Sequence, residues 1–232
     1  MGEEKQGKSR TIIYIIVTIA VYRLARWAAL RFPSPFTTPS FTSTVVIISL
    51  LAASGVSYKE YTPAKEIMTF LLGPATVALA LPLYHNRAVL RERFLSAAIG
   101  LIVGTFATIV SAVWMASAFG LSRTIQATAA VKAVTTTVAM EAAVIIGGDP
   151  ALAAAFVSTA GIFGAVFGPP LLTMFNIHDP FSRGLGIGTI SHGIGTSQAV
   201  QEGPIQGTVS SAAMGVSAII TSLVLPWMFP FL

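Results

Sequence analysis

Apolar runs fill this chain almost from end to end, at residues 11–30, 40–56, 66–84, 94–119, 122–146, 151–175, 180–200 and 206–230. A helix needs about 20 mainly apolar residues to cross a bilayer, and most of these runs come close to that length or exceed it. The breaks between them carry turn chemistry: Pro33, Pro35 and Pro39, Ser57 to Pro63, His85 to Arg93, Gly147-Gly148-Asp149-Pro150, His178-Asp179-Pro180 and Glu202-Gly203-Pro204. The runs are too long for the strands of a membrane barrel and lack their period-2 alternation. Charged residues make up only 10% of the chain, whereas a soluble domain carries about 25%. The expected fold is therefore all-α: a polytopic integral membrane protein of roughly seven to nine segments. A polar tail at 1–10 precedes one transmembrane domain over 11–232.

The tail and the apolar stretch after it loosely resemble a signal peptide. Arg23 and Arg26 follow at once and no small-residue cleavage site appears, so a retained first span is expected. The net charge of +5 does not point to nucleic acid, because the arginines sit in short loops beside apolar runs, where membrane topology places them. The loops at 23–40 and 85–93 carry Arg23, Arg26, Arg31, Arg87, Arg91 and Arg93, a slight excess over the opposite early loops, which weakly favours them as cytoplasmic. The absence of cysteine excludes disulfides, thiolate metal sites and cysteine nucleophiles. His85, His178 and His192 have no metal-ligand spacing, so neither metal nor cofactor is expected.

The runs are not alike. Residues 94–119 and 206–230 read as plain spans. Gly73, Pro74 and Pro82 interrupt 66–84, with a kink expected at Gly73-Pro74. Lys132, Thr135-Thr136-Thr137 and Glu141 lie inside 122–146, and a dense set of glycines with Ser191, His192 and Thr196 lies inside 180–200. Irregular, polar backbone at membrane depth survives only when buried in protein or lining a cavity, so broken or re-entrant helices around an internal polar site are expected. A faint repeat supports this. Val134-Thr135, Val138-Ala139 and Ala143-Val144 match Ile190-Ser191, Ile194-Gly195 and Ala199-Val200, and Pro150 and Gly161 match Pro204 and Gly215. Paired broken segments in repeated units point to a transporter's binding site. Whether the units are parallel or inverted depends on whether the broken segments cross or re-enter, which the sequence leaves open.

The stretch from Ser191 to Ala199 puts a hydroxyl, an imidazole and two glycines, Gly193 and Gly195, into one membrane segment. Amides at the start of a half-helix, with Ser191 and Thr196 hydroxyls, make a cradle for a carboxylate; tight helix packing is the alternative. An intramembrane Lys132 is a functional residue by default. It is expected to attract an anion, or to meet Glu141 across a break, unless it snorkels to an interface. Thr135 and Thr136 offer hydroxyls beside it. His192 and Glu141 are candidates for proton coupling. Asp179 and Arg183, four apart, read as a surface pair. Adjacent Ser191 and His192 do not converge on one proton, so no enzymatic role is expected.

The chain resembles the LrgB/CidB family of bacterial membrane proteins and the related half of the plastid glycolate/glycerate translocator. The resemblance rests on Phe70-Leu71-Leu72-Gly73-Pro74-Ala75-Thr76, on Lys132-Ala133-Val134-Thr135-Thr136 with Val138-Ala139-Met140-Glu141, and on Asp179-Pro180 with Arg183-Gly184-Leu185 leading into Gly188-Thr189-Ile190-Ser191-His192-Gly193-Ile194-Gly195-Thr196. Ala133 and Thr137 stand where the family often has serine and proline. The resemblance implies one of two functions in a bacterial cytoplasmic membrane. One is transport of small monocarboxylates of the glycolate, glycerate or pyruvate type. The other is antiholin- or holin-like control of murein hydrolase activity with a small LrgA/CidA-type membrane partner, for which Gly100-xxx-Gly104 would be a docking face unless it packs internally. A homodimer is a further expectation.

Overall fold

The computed structural model describes residues 2–32, 34–71, 74, 77, 84, 85 and 87–232, and they are helical nearly throughout. They fall into two compact units, Met1–Leu79 and Ala80–Leu232. Gly73 and its expected kink lie outside the described residues.

In the first unit, α1 (Gly2–Arg31) packs against α2 (Pro39–Ala53) and α3 (Tyr58–Phe70). Thr18 meets the Tyr61 hydroxyl at 2.9 Å, and Tyr14 stacks obliquely on the same ring. Residues 57–63, expected as a loop, are instead the start of α3. The Ser57 side chain accepts the Glu60 amide and so supplies a proper N-cap.

The second unit holds α4 (Arg87–Glu92), α5 (Phe94–Ala118), α6 (Arg123–Ala130), α7 (Thr136–Ile145), α8 (Pro150–Met174), α9 (Pro180–Glu202) and α10 (Pro204–Met228). Among the described residues, four helices are long and apolar enough to cross a membrane: Gly7–Arg31 within α1, and α5, α8 and α10. At 25 residues each, the last three extend about 37 Å.

The segments that join α5 to α8 and α8 to α10 do not cross. Arg183 near the start of α9 pairs with Glu202 at its end, N–O 2.9 Å. On a straight helix the two would stand about 28 Å apart. The chain folds back at His192, whose φ of 41° and ψ of −136° break the helix. An added Cβ at Gly195, on the returning arm, would lie 3.3 Å from the Ile187 carbonyl on the outgoing one. The α6–α7 segment does the same. The Thr128 hydroxyl accepts the Asp149 amide at 2.9 Å, a pair that a straight helix would separate by about 31 Å. Both are re-entrant helical hairpins, over residues 123–145 and 180–202.

The two hairpins enter from opposite ends. Arg123 at the mouth of the first hairpin donates to the Phe229 carbonyl just beyond α10, at 2.7 Å. The mouth of the second lies by the start of α5, through Arg93–Asp179 at 2.9 Å, and by the end of α8, through Arg183 and the Pro169 carbonyl at 3.2 Å. So α5 and α10 run one way and α8 the other. Hairpin plus α8 and hairpin plus α10 are thereby two copies of one motif in inverted orientation, each span opening with proline at its first turn. The faint sequence repeat is an inverted structural repeat.

Glycines seat the second hairpin. The outgoing arm runs parallel to α10, with Gly184 against the Gln206 backbone and Gly188 against the Ser210 backbone. Gly100 and Gly104 of α5 receive Leu185 and Thr189 of the same arm, so this pair is committed to packing within the chain and is not a free face for a partner. A Cβ at Gly188 would overlap the Ser210 backbone. Gly188→Val is expected to cost roughly 3 kcal/mol or more, read as loss of monodisperse protein on heating in detergent. A wild-type melting curve would rule out the close approach.

Candidate functional site

The hairpin tips carry the polar residues. The tip of the first hairpin is the turn from Val131 to Thr135. Lys132 there is half-buried, and its Nζ donates to the Thr108 carbonyl of α5 at 3.2 Å. Among the described residues no carboxylate lies within ion-pair distance of it. Glu141 is exposed on α7 and lines a cavity of about 360 Å³ with Thr137 and Ser222, so the two residues do not pair. Thr135 occupies the N-cap position of α7 without a side-chain capping bond, and Thr136 is exposed. The first-turn amides of α7 begin four residues after Lys132, with the positive end of their helix dipole at the tip.

The second tip is more enclosed. Ser191, His192, Gly195 and Thr196 are buried, while Gly193 is exposed. The left-handed backbone falls on His192 itself rather than on either flanking glycine. That conformation is costly for a residue with a Cβ, and it is held by bonds on both sides. The His192 Nε2 lies 2.9 Å from the Val157 carbonyl of α8. Thr196 donates to the His192 carbonyl at 2.8 Å and meets the Ser210 hydroxyl of α10 at 2.9 Å. Gly161 leaves room for the ring, since a Cβ there would lie 2.6 Å from its Cε1, and Gly164 leaves room for Ser191.

Both tips reach the middle of the same two spans. On α5, Gly104 receives Thr189 of the second hairpin and the Thr108 carbonyl receives Lys132 of the first, one turn apart. On α8, the Val157 side chain belongs to the apolar core that holds Val131 and Val134, while its carbonyl bonds His192. Lys132 and Thr135 thus stand on one tip, and Ser191, His192 and Thr196 on the other, at similar depth. Glu141 stands apart on the returning arm.

Asp179 and Arg183 do not pair with each other. Asp179 caps α9 through the Ser182 amide at 3.0 Å and binds Arg93, while Arg183 serves Glu202. The Ser182 hydroxyl above all, opposed by desolvation and helped by the Ser182 amide and Arg93, holds the Asp179 carboxyl below its usual range. Because the folded value is the lower one, this cap holds at neutral pH and is released as pH falls through that range.

The polar residues of the plain-looking spans were harder to see. Ser210, Ser217 and Thr221 share the buried face of α10, and their helical spacing was a legible signal. Nothing in the sequence singled out Thr108, whose contribution is a backbone carbonyl.

The family model that describes the LrgB-like family matches residues 18–231. The chain belongs to the LrgB-like family. Relatives of this LrgB-like chain include "Uncharacterized protein YwbG" of Bacillus subtilis (strain 168), 34% identical over 95% of this chain and 98% of the relative. YxaC of the same strain is 34% identical over 94% and 96%. "Holin-like protein CidB" of Staphylococcus aureus (strain N315) is 27% identical over 94% and 95%. No solved structure matches. LrgB-like membership and the apolar spans together make this an integral membrane protein.

Proposed function

We propose that the chain is a secondary transporter of small monocarboxylates, of the glycolate, glycerate or pyruvate type, in a bacterial cytoplasmic membrane. One observation carries the reading: an inverted repeat whose two re-entrant hairpins bring half-helix starts to the middle of the fold from opposite ends. That arrangement gives a central site with a gate on each side, which alternating access requires. Lys132 supplies the positive charge. Thr135, Thr136 and the first-turn amides of α7 bind carboxylate oxygens from the first tip. Ser191, Thr196 and the amides of Gly193 and Gly195 approach from the second. His192 and Glu141 are the groups available to carry a coupled proton.

A second reading has its own support, the holin-like designation of relatives such as CidB. In that reading the chain regulates murein hydrolase activity together with a small LrgA/CidA-type membrane protein, and the tips are packing devices. A homodimer is compatible with either.

Proteoliposomes containing only this chain separate the two. Saturable uptake of labelled glycolate or pyruvate, steeper with an inward pH gradient, is expected. Lys132→Ala is expected to lower it roughly a hundredfold or more, since a charged hydrogen bond in a desolvated site contributes about 1.5–3 kcal/mol and the charge itself adds to that. The variant should still insert and melt normally. Absence of uptake by folded wild-type protein, with activity appearing only when a small LrgA-type protein is added, would sink the solitary transporter.

A further inference from the structure

We infer that Thr105 is a further ligand-binding residue of the central site, its hydroxyl meeting the same small carboxylate that Lys132 attracts; this rests on the transporter reading. Thr105 lies on the buried face of α5 with Leu101, Ile109 and Val113. Ile109 and Val113 belong to the apolar core that holds Val131 and Val134 of the first hairpin. Thr105 is one turn further along that face, at the level the hairpin tips reach. It is 4% exposed, and its Oγ1 is buried with no hydrogen-bond partner among the described residues.

Neighbouring hydroxyls are already used. Thr108 donates to the Gly104 carbonyl, and Thr189 donates to the Leu185 carbonyl at 2.7 Å. A buried hydroxyl left unpaired costs the full desolvation of that group, so the position makes sense if a ligand atom completes it. The Lys132 ammonium has three donors, and one of them goes to the Thr108 carbonyl. Lys132 and Thr105 therefore both face the middle part of α5. A small oxo- or hydroxy-acid bound between them would set its carboxylate on Lys132 and its 2-oxygen on Thr105. The hydroxyl can donate to a keto oxygen or accept from a 2-hydroxyl, which suits both substrate types.

The test is Thr105→Val, which keeps the shape and removes only the oxygen, with Thr105→Ser as the conservative restoration. Purified proteins are compared by glycolate uptake in proteoliposomes and by melting with and without glycolate. Thr105→Val is expected to raise KM roughly tenfold or more with little change in maximal rate, and to lose the glycolate-induced rise in melting temperature. Its melting temperature without glycolate should equal or exceed wild type, because an unpaired buried hydroxyl has been removed. Thr105→Ser should recover most of the affinity. An unchanged KM in Thr105→Val, beside a wild type that transports, overturns this inference and leaves the transporter intact. A clear fall in its ligand-free melting temperature also overturns it, since the hydroxyl would then be bonded within the protein. A folded wild type with neither uptake nor stabilisation by glycolate overturns both readings together.

Discussion

Replacing Arg183 by alanine is expected to open the mouth of the second hairpin and to cost about 2–4 kcal/mol, between the loss for an exposed pair and that for a fully buried one. Arg183 uses every donor of its guanidinium. Nε and Nη2 hold the two Glu202 oxygens at 2.9 and 3.0 Å, Nη1 holds the Thr173 hydroxyl and the Ile177 carbonyl, and Nη2 also holds the Pro169 carbonyl. One side chain thus ties both arms of the hairpin to the end of α8. Its side chain and that of Glu202 are only 11% and 15% exposed, so solvent can replace the bonds to Glu202 only poorly. Arg183→Lys should restore little, because an ammonium lacks the planar fork that spans a carboxylate. The contrast is Arg93→Ala. The Arg93–Asp179 pair is 50% and 40% exposed, and its loss should cost about 0–1 kcal/mol. Thermal unfolding in detergent measures both. Near-wild-type melting of Arg183→Ala would mean that the hairpin is held by its glycine contacts alone.

Alkaline phosphatase fused after Leu232 is expected to be active, and a green fluorescent protein fused there to be dark. With both hairpins re-entrant, α5, α8 and α10 are the crossings among the described residues of the second unit, and charge can be counted by side. The end at which α5 begins carries Arg87, Arg91, Arg93 and Arg183, and the opposite end carries Arg123. Cytoplasmic loops hold the excess of Lys and Arg, so the α5 start and the mouth of the second hairpin face the cytoplasm. The first hairpin then opens to the outside, where the chain ends. Inactive phosphatase with bright fluorescence would invert this assignment. Counting the 122–146 and 180–200 runs as full crossings gives the same side for Leu232, so a second fusion after Gly148 is needed. Re-entry places Gly148 outside and full crossing places it inside.

The helical membrane character was plain from run length and charge deficit, because bilayer thickness sets the first and the cost of charge in hydrocarbon sets the second. The breaks near Lys132 and His192 were legible too, since lysine, histidine and clustered glycines have no reason to sit in a lipid-facing helix. The fold-back was not legible. Re-entry depends on which groups meet at the hairpin mouth, and Arg183 and Glu202 are nineteen positions apart with no local pattern joining them. The four-residue spacing of Asp179 and Arg183 suggested the wrong pairing, because the N-cap geometry of α9 turns Asp179 toward the Ser182 amide and Arg93 instead. The Gly100-xxx-Gly104 pattern signalled close packing correctly, but a spacing does not say whether the incoming helix belongs to the same chain.

The contact between His192 and Val157 settles which form of the imidazole is present. A carbonyl oxygen only accepts, so Nε2 must carry hydrogen in the neutral and the charged ring alike. Gly161 packs against the Cε1 and Nε2 edge and leaves little room for the ring to turn over. Proton exchange at this residue is thereby confined to Nδ1. The neutral ring is the Nε2–H tautomer, and nitrogen NMR should show a titrating Nδ1 beside an Nε2 that stays protonated throughout.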